Sequence, residues 1–322
     1  MNDDKIIIGL TGDVMIGRNV NTVIKGKGYL YPWGNVFPLL KKTDINIINL
    51  ETTLTNSSKK VFKTFNFKAD PDRVNTLTEA NITLANLANN HILDFSEKGL
   101  TETIQTLDAA KIKHTGAGIN DKEAAKPVIL RGKNIIIGVL GYTDNEPRWK
   151  ATASRSGVNY IHTSNKEDRK RVIKDIIQLR KLTDFIIVSI HWGPNMKESP
   201  EKLFIDFAHE MTEQGAGIIH GHSAHNFQGI ENYYNKFILY DTGDFVDDYM
   251  VDPVLKNDHS FFFCVEATKS GIKKIELYPV LISNCQVNLA TGEDYKWCFH
   301  RIQKLSAEFG TELYDRGNKI VA

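Results

Sequence analysis

Cysteine is scarce in this chain: three in 322 residues, Cys264, Cys285 and Cys298, far apart and all near the C-terminal end. An odd, scattered set excludes a disulfide framework and reads as reduced thiols. Long apolar runs are also missing. No segment approaches the roughly 20 residues that a membrane-spanning helix needs. The first apolar stretch, residues 6–10, is short and follows the acidic start Met1-Asn2-Asp3-Asp4-Lys5, unlike a signal peptide. The chain is therefore expected to be cytoplasmic, with no membrane anchor of its own. Charge of one sign is absent too, with 40 Lys and Arg against 39 Asp and Glu. Such balance gives no general attraction to nucleic acid or to an acidic membrane surface, so any anion must be held by local groups. There is no internal repeat, low-complexity tract or linker.

What remains is an ordinary globular composition, 41% hydrophobic and 25% charged, in a chain long enough for a large core. Short β-rich runs at 5–10, 46–50, 83–87, 134–141, 185–190, 217–220 and 237–240 alternate with amphipathic helical patterns at 71–80, 97–110, 166–180 and 200–214. That alternation predicts an α/β fold. Lys269-Ser270-Gly271 predicts a hairpin turn, 295–313 a helix, and 52–68 and 143–163 long loops. The expected organisation is one domain over 1–322, with a core at about 5–250 and residues 251–322 packed on it as hairpin and helix.

Nearly every apolar run ends in an acid, an Asn or a His. The successions are Thr11-Gly12-Asp13, then Glu51 after Leu50, Asn89-Asn90-His91, His191-Trp192-Gly193, His220-Gly221-His222-Ser223-Ala224-His225, and Asp241-Thr242-Gly243-Asp244. Ligands of α/β proteins bind beyond the carboxyl ends of the strands, so strands sharing a sheet would gather these groups on one rim. Carboxylate, amide oxygen and imidazole together suit one or two divalent ions, Mn, Fe or Zn. Glu51 is the candidate carboxylate to bridge two ions. Taken singly, Asp13 reads as a turn residue, His191 as a hydrogen-bonded core histidine, and Asp247 and Asp248 as solvated. The histidines at 220, 222 and 225 form the strongest local signal, and His220 could equally point into the core as the last residue of its strand.

These segments resemble the CapA, or PgsA, poly-γ-glutamate capsule proteins of the calcineurin-like metallophosphoesterase superfamily. The resemblance is carried in order by Thr11-Gly12-Asp13-Val14-Met15-Ile16-Gly17-Arg18, Asn49-Leu50-Glu51-Thr52-Thr53-Leu54, Leu87-Ala88-Asn89-Asn90-His91-Ile92-Leu93-Asp94, His191-Trp192-Gly193, and the stretches 138–143, 221–225 and 239–245. It implies a metallophosphoesterase-like two-sheet β-sandwich flanked by helices, with a metal site at the strand C-terminal ends. By the same resemblance Asp13 would bind one metal, Glu51 would bridge, Asn90 and His191 would bind the second, and His222 and His225 would complete the set. His91 would protonate a leaving group and Arg18 would clamp an anion. Two departures are shared with the capsule branch: Met15 stands where phosphoesterases carry a second ligand His, and Glu51 replaces Asp. Two more are particular to this chain: Ser223-Ala224 within the last histidine motif, and Asp244 in place of an Asn. Asp244 is thus an additional candidate ligand, able to replace the donor lost at Met15.

Three functions are compatible with this pattern. The first is a metal-dependent hydrolase of phosphoester or γ-glutamyl-type substrates linked to capsule metabolism. The second is a non-catalytic polyglutamate-binding assembly or export factor. The third is a structural relative that binds no metal. Expected partners are an anionic small molecule or polyglutamate, and capsule synthase components.

Overall fold

The computed structural model describes residues 5–322; the acidic start at 1–4 lies outside the described residues. Two large sheets dominate. A ten-stranded sheet is centred on Ile6–Val14, which pairs in parallel with Ile45–Leu50; that strand pairs in parallel with Ile82–Asn86, which in turn carries Lys113–Thr115. On its other side Ile6–Val14 runs antiparallel to His259–Thr268, the first arm of the hairpin completed by Gly271–Ser283. A six-stranded sheet holds Ile135–Thr143, Phe185–His191, Ile218–His222 and Lys236–Leu239 as its parallel centre. The fold is mixed α/β, with these sheets flanked by helices.

Side-chain alternation explains the layering. Ile6, Ile8 and Leu10 point from the large sheet into one apolar cluster, and Ile137, Val139, Ile187 and Ile218 enter the same cluster from the smaller one. The outer residues Leu140, Val188 and Ile190 instead meet Val172 and Ile176 of helix Lys166–Leu179 and Phe207 and Met211 of helix Lys202–Gln214. On the far side of the large sheet, Ile48 and Ala85 pack with Val20, Leu77 and Leu100 from three further helices. Because residues two apart share a face, near-continuous apolar strands can serve both layers at once. Cys298, Ile302 and Leu305 of helix Gly292–Ala307 join the inter-sheet cluster. All three cysteines are free.

The helix expected at 295–313 begins and ends earlier, at Gly292–Ala307. The segment 52–68 is not all loop: Thr53–Leu54 pairs in parallel with Lys68–Ala69. Several strands outrun their apolar runs, so Asp13 lies inside Ile6–Val14, and His220 and His222 lie inside Ile218–His222. Among the described residues no helix is long and apolar enough to cross a membrane.

Two glycines let backbones close on one another at the strand ends. A Cβ on Gly12 would sit 1.9 Å from the Gly243 carbonyl oxygen, and one on Gly221 would sit 2.0 Å from that of Tyr240. Backbone cannot yield as a flexible side chain does, so Gly12→Ala is expected to destabilise by about 1–3 kcal/mol. Urea unfolding measures this, and a midpoint equal to the parent's would refute the close-packed junction.

Candidate metal centre

Both sheets deliver the carboxyl ends of their parallel strands to one place. Asp13 is fully buried, and Asn49, its register partner, donates Nδ2–H to Asp13 Oδ1 at 2.7 Å. Asn49 Oδ1 in turn accepts from Asn86 at 3.0 Å and from Asn89 at 3.2 Å. Asn89 also donates to the Leu50 carbonyl at 2.8 Å and accepts the His91 backbone N–H at 3.0 Å. This amide ladder uses up Asn49, Asn86 and Asn89 as scaffolding and leaves the Oδ1 of Asn90 buried without a partner. The ladder is missing from the sequence reading. Its signal was available: Asn49 and Asn86 sit in mostly apolar strands, where an unpaired amide is costly.

Glu51 follows its strand directly, its backbone N–H bonded to the Val14 carbonyl at 3.0 Å. Tyr249, a second group the sequence reading did not single out, donates its hydroxyl to Glu51 Oε2 at 2.8 Å. Glu51 Oε1 lies 3.9 Å from His91 Nε2 and 4.0 Å from His191 Nε2. Asp13 Oδ1 lies 3.9 Å from His222 Nδ1 and 4.0 Å from His191 Nδ1, and Asp13 Oδ2 lies 3.7 Å from His225 Nδ1. Asp244, in register with Asp13 on a parallel strand, accepts from His225 Nδ1 at 2.8 Å.

Two donor groups result, Asp13–His191–His222 and Asp13–His225–Asp244, each with its ligand atoms within 4.8 Å of one another. Asp13 is common to both groups. The 3.7–4.0 Å separations are too long for hydrogen bonds. They are shorter than the roughly 4.2 Å spanned by two donors on opposite sides of one ion at about 2.1 Å each.

The orphaned atoms provide a stricter test of fit. Asp13 Oδ2, Glu51 Oε1, Asn90 Oδ1, His191 Nε2 and Asp244 Oδ2 are all buried with no hydrogen-bond partner among the described residues. Every one belongs to an acid, amide or imidazole that can offer a lone pair. Each such atom left unmet costs about 1–3 kcal/mol, more for a charge. Five together rival the 5–15 kcal/mol net stability of a typical domain, so a cation is the natural complement. The site residues fit one or two divalent ions.

Electrostatics agree. Burial, then the Glu51 charge, raises Asp13 well above the usual carboxylate range. Burial pushes His191 and His222 well below theirs, so both are neutral and able to offer lone pairs. Burial acts in the same direction on His225, but the Asp244, Glu51 and Asp13 carboxylates outweigh it and raise that imidazole. His220 is different: both ring nitrogens are engaged, Nε2 with the Thr11 carbonyl at 2.8 Å and Nδ1 with Ser189 Oγ at 3.3 Å. It belongs to the support of the site.

Met15 is fully buried with its thioether turned aside, Sδ accepting the Gly17 N–H at 3.1 Å. Asp247 and Asp248 are not solvated as their sequence suggested. Asp247 is buried, while Asp248 caps the helix Arg18–Lys27 by accepting the Asn19 N–H at 3.1 Å and faces Arg18 Nε at 3.2 Å. Asp241 accepts from the backbone N–H of Ala224 at 2.6 Å and of Gly243 at 2.8 Å, which holds His225 at a left-handed φ of 61°.

Beside His225 opens a cavity of about 620 Å³, lined by Arg18, Lys63, Phe67, Asn90, His91 and Tyr249 among others. His91 stacks on Phe67 at 3.8 Å and contacts Asp94 through Nδ1 at 2.6 Å. Burial lowers His91 to about 3 and raises Asp94 to about 7. Arg18 lies over the Phe67 and Tyr249 rings, its side chain 37% exposed toward the cavity. Lys63, unremarked in the sequence, reaches the Asn90 carbonyl and lies 3.4 Å from Asp94.

Comparison with known proteins follows the same residues. The family described as "Bacterial capsule synthesis protein PGA_cap" matches residues 7–249. A "Probable polyglutamine synthesis accessory protein" of Mycobacterium tuberculosis (strain H37Rv) is 30% identical, covering 99% of this chain and 96% of its own length. The "Capsule biosynthesis protein CapA" of Bacillus anthracis is 29% identical, over 76% of this chain and 61% of its own. The "PGA biosynthesis protein CapA" of Bacillus subtilis (strain 168) is 29% identical, over 87% of this chain and 72% of its own.

Elemental mass spectrometry on purified protein is expected to find Mn, Fe or Zn. Asp13→Ala and His225→Ala should each lower the content by at least half, and Met15→Leu should leave it unchanged. Added metal at a hundredfold excess over Kd should stabilise by about 2.7 kcal/mol, reversed by chelator. No metal in the parent after reconstitution would sink this centre.

Proposed function

The chain belongs to the bacterial capsule synthesis protein family, and from that premise we propose that it is a metal-dependent hydrolase of capsule or polyglutamate metabolism, acting on phosphoester or γ-glutamyl-type bonds. The observation that supports this most is the convergence of partnerless buried donors beside a cavity with a histidine and an arginine on its wall. A binding protein has no need of that conjunction, whereas a hydrolase needs each part.

When bound, a divalent ion there supplies Lewis acidity toward a phosphoryl or acyl oxygen and lowers the pKa of water. The chain's own residues do the remainder. Asp13, Glu51, Asn90, His191, His222, His225 and Asp244 hold the ion or ions. Arg18 takes an anionic group of the substrate, its planar fork matching two carboxylate or phosphate oxygens. Stacking on Phe67 and the Asp94 contact fix the His91 ring. Its Nε2 is then the atom that takes a proton from the attacking water and hands it to the leaving group, and Asp94 steadies the ring while it carries that proton.

Phosphoesters and γ-glutamyl peptides are the substrates to screen. His91→Gln is expected to lower kcat by about 10²–10⁴ with metal content retained, and Arg18→Ala to raise KM. Turnover unaffected by His91→Gln would overturn the mechanism. Binding of polyglutamate weakened by Arg18→Ala, with no glutamate released, would assign the non-catalytic assembly role in its place.

A further inference from the structure

Behind the donor set stands a second row of buried polar groups. Strands Phe185–His191 and Ile218–His222 run in parallel with Ser189 opposite His220 and His191 opposite His222. Residues two apart share a face, so Ile187 and Ile218, then Ser189 and His220, then His191 and His222 succeed one another along the inner side of this sheet. The apolar layer between the sheets thus gives way to a polar row before the donors begin. Thr11, Ser189, His220 and His222 are all fully buried, so solvent does not compete for their hydrogen bonds.

We propose that this row is a relay that fixes the tautomer of His222, and that Ser189 and His220 are positioning residues of the metal centre. The inference rests on the reading that His222 faces an ion, and it adds which nitrogen does so and why. Direction is set at the far end. The Thr11 carbonyl can only accept, so His220 Nε2, 2.8 Å away, carries the proton. A neutral imidazole has one N–H, which leaves His220 Nδ1 as an acceptor for the Ser189 hydroxyl at 3.3 Å. With its only proton given to His220, Ser189 Oγ accepts from His222 Nε2 at 3.0 Å. His222 then has a bare Nδ1, directed toward Asp13 and 2.9 Å from His191 Nδ1. His191 Nδ1 also lies 3.3 Å from Asn49 Nδ2, an amide nitrogen that can only donate, so the lone pairs of both Nδ1 atoms face one another beside Asp13. The reverse polarity would set the lone pair of His220 Nε2 against those of the Thr11 oxygen.

A carbonyl in a regular strand lies within its own sheet. Thr11 falls in the irregularity between Leu10 and Asp13, where the register of Ile6–Val14 against Ile45–Leu50 shifts. Such a break re-aims the backbone, and here it lets the strand that carries Asp13 set the proton position on a ligand of the opposite sheet.

Long-range proton–nitrogen NMR of ¹⁵N-labelled, metal-free protein reads the tautomer, and calorimetric titration with Mn²⁺ and Zn²⁺ reads affinity. The parent should show His222 protonated at Nε2 and bare at Nδ1. Ser189→Ala and His220→Leu should mix or reverse that signature and weaken ion binding about 10–100-fold. His220→Gln should preserve both, because its amide N–H can reach Thr11 while its oxygen accepts from Ser189. Should His220→Leu fail to fold, Ser189→Ala alone decides. Parent protein with Nδ1–H on His222, or Ser189→Ala with unchanged tautomer and affinity, would overturn the relay. A parent that bound no ion would remove the metal centre, and the spectra would still decide the relay.

Discussion

Carboxylates of Asp13, Glu51 and Asp244 lie inside this molecule, fully buried and within reach of one another through His225 and His191. Like charges in a medium of low polarity repel strongly, and among the described residues no lysine or arginine pairs with them; Arg18 is turned to Asp248. Much else follows from the need to hold this charge. The asparagine ladder below donates to Asp13, Tyr249 donates to Glu51, and His225 is drawn toward its positive form between Asp13 and Asp244. These groups reduce the repulsion but leave five donor atoms unmet. These atoms are what a divalent cation would complement.

The architecture explains how such a cluster can be built. Parallel strands end on the same side, so two sheets packed through a shared apolar layer place two sets of strand ends in contact. Asp13, Glu51 and Asn90 come from one sheet, His191 and His222 from the other. Glycines 12 and 221 permit the approach, since a methyl at either position would strike a neighbouring carbonyl. The loop bearing His225 is pinned by Asp241. Met15 turns its sulfur to a backbone N–H, and Asp244, on a strand adjacent to that of Asp13, joins the group with Asp13 and His225.

Much of this was legible beforehand because apolar runs and polar termini are local features. Alternation of runs and helical patterns was enough for the α/β class, and Lys269-Ser270-Gly271 for the hairpin between His259–Thr268 and Gly271–Ser283. Strand ends were harder to read. Thr11-Gly12-Asp13 and His220-Gly221-His222 continue their strands although their side chains are polar or absent, since pairing with neighbouring strands overrides local propensity. Asp247 and Asp248 looked like surface residues because charged pairs usually are. The Asp248 side chain is drawn against the helix Arg18–Lys27, more than 200 residues away in the chain, where it accepts the Asn19 N–H.

The sequence by itself determined the donor types, their order and their position at the ends of strands, because those depend on residue identity and short-range pattern. It also determined that any anion must be met locally, because net charge is +1. Only the tertiary structure decided which polar groups are scaffold and which are free. Asn89 and Asn90 are neighbours in sequence, yet one is spent on the ladder and the other is unpaired. His220 and His222 share a strand, yet one spans to Thr11 and the other faces Asp13. Hydrogen-bond satisfaction is a property of three-dimensional neighbours, and these neighbours come from strands as much as 209 residues apart.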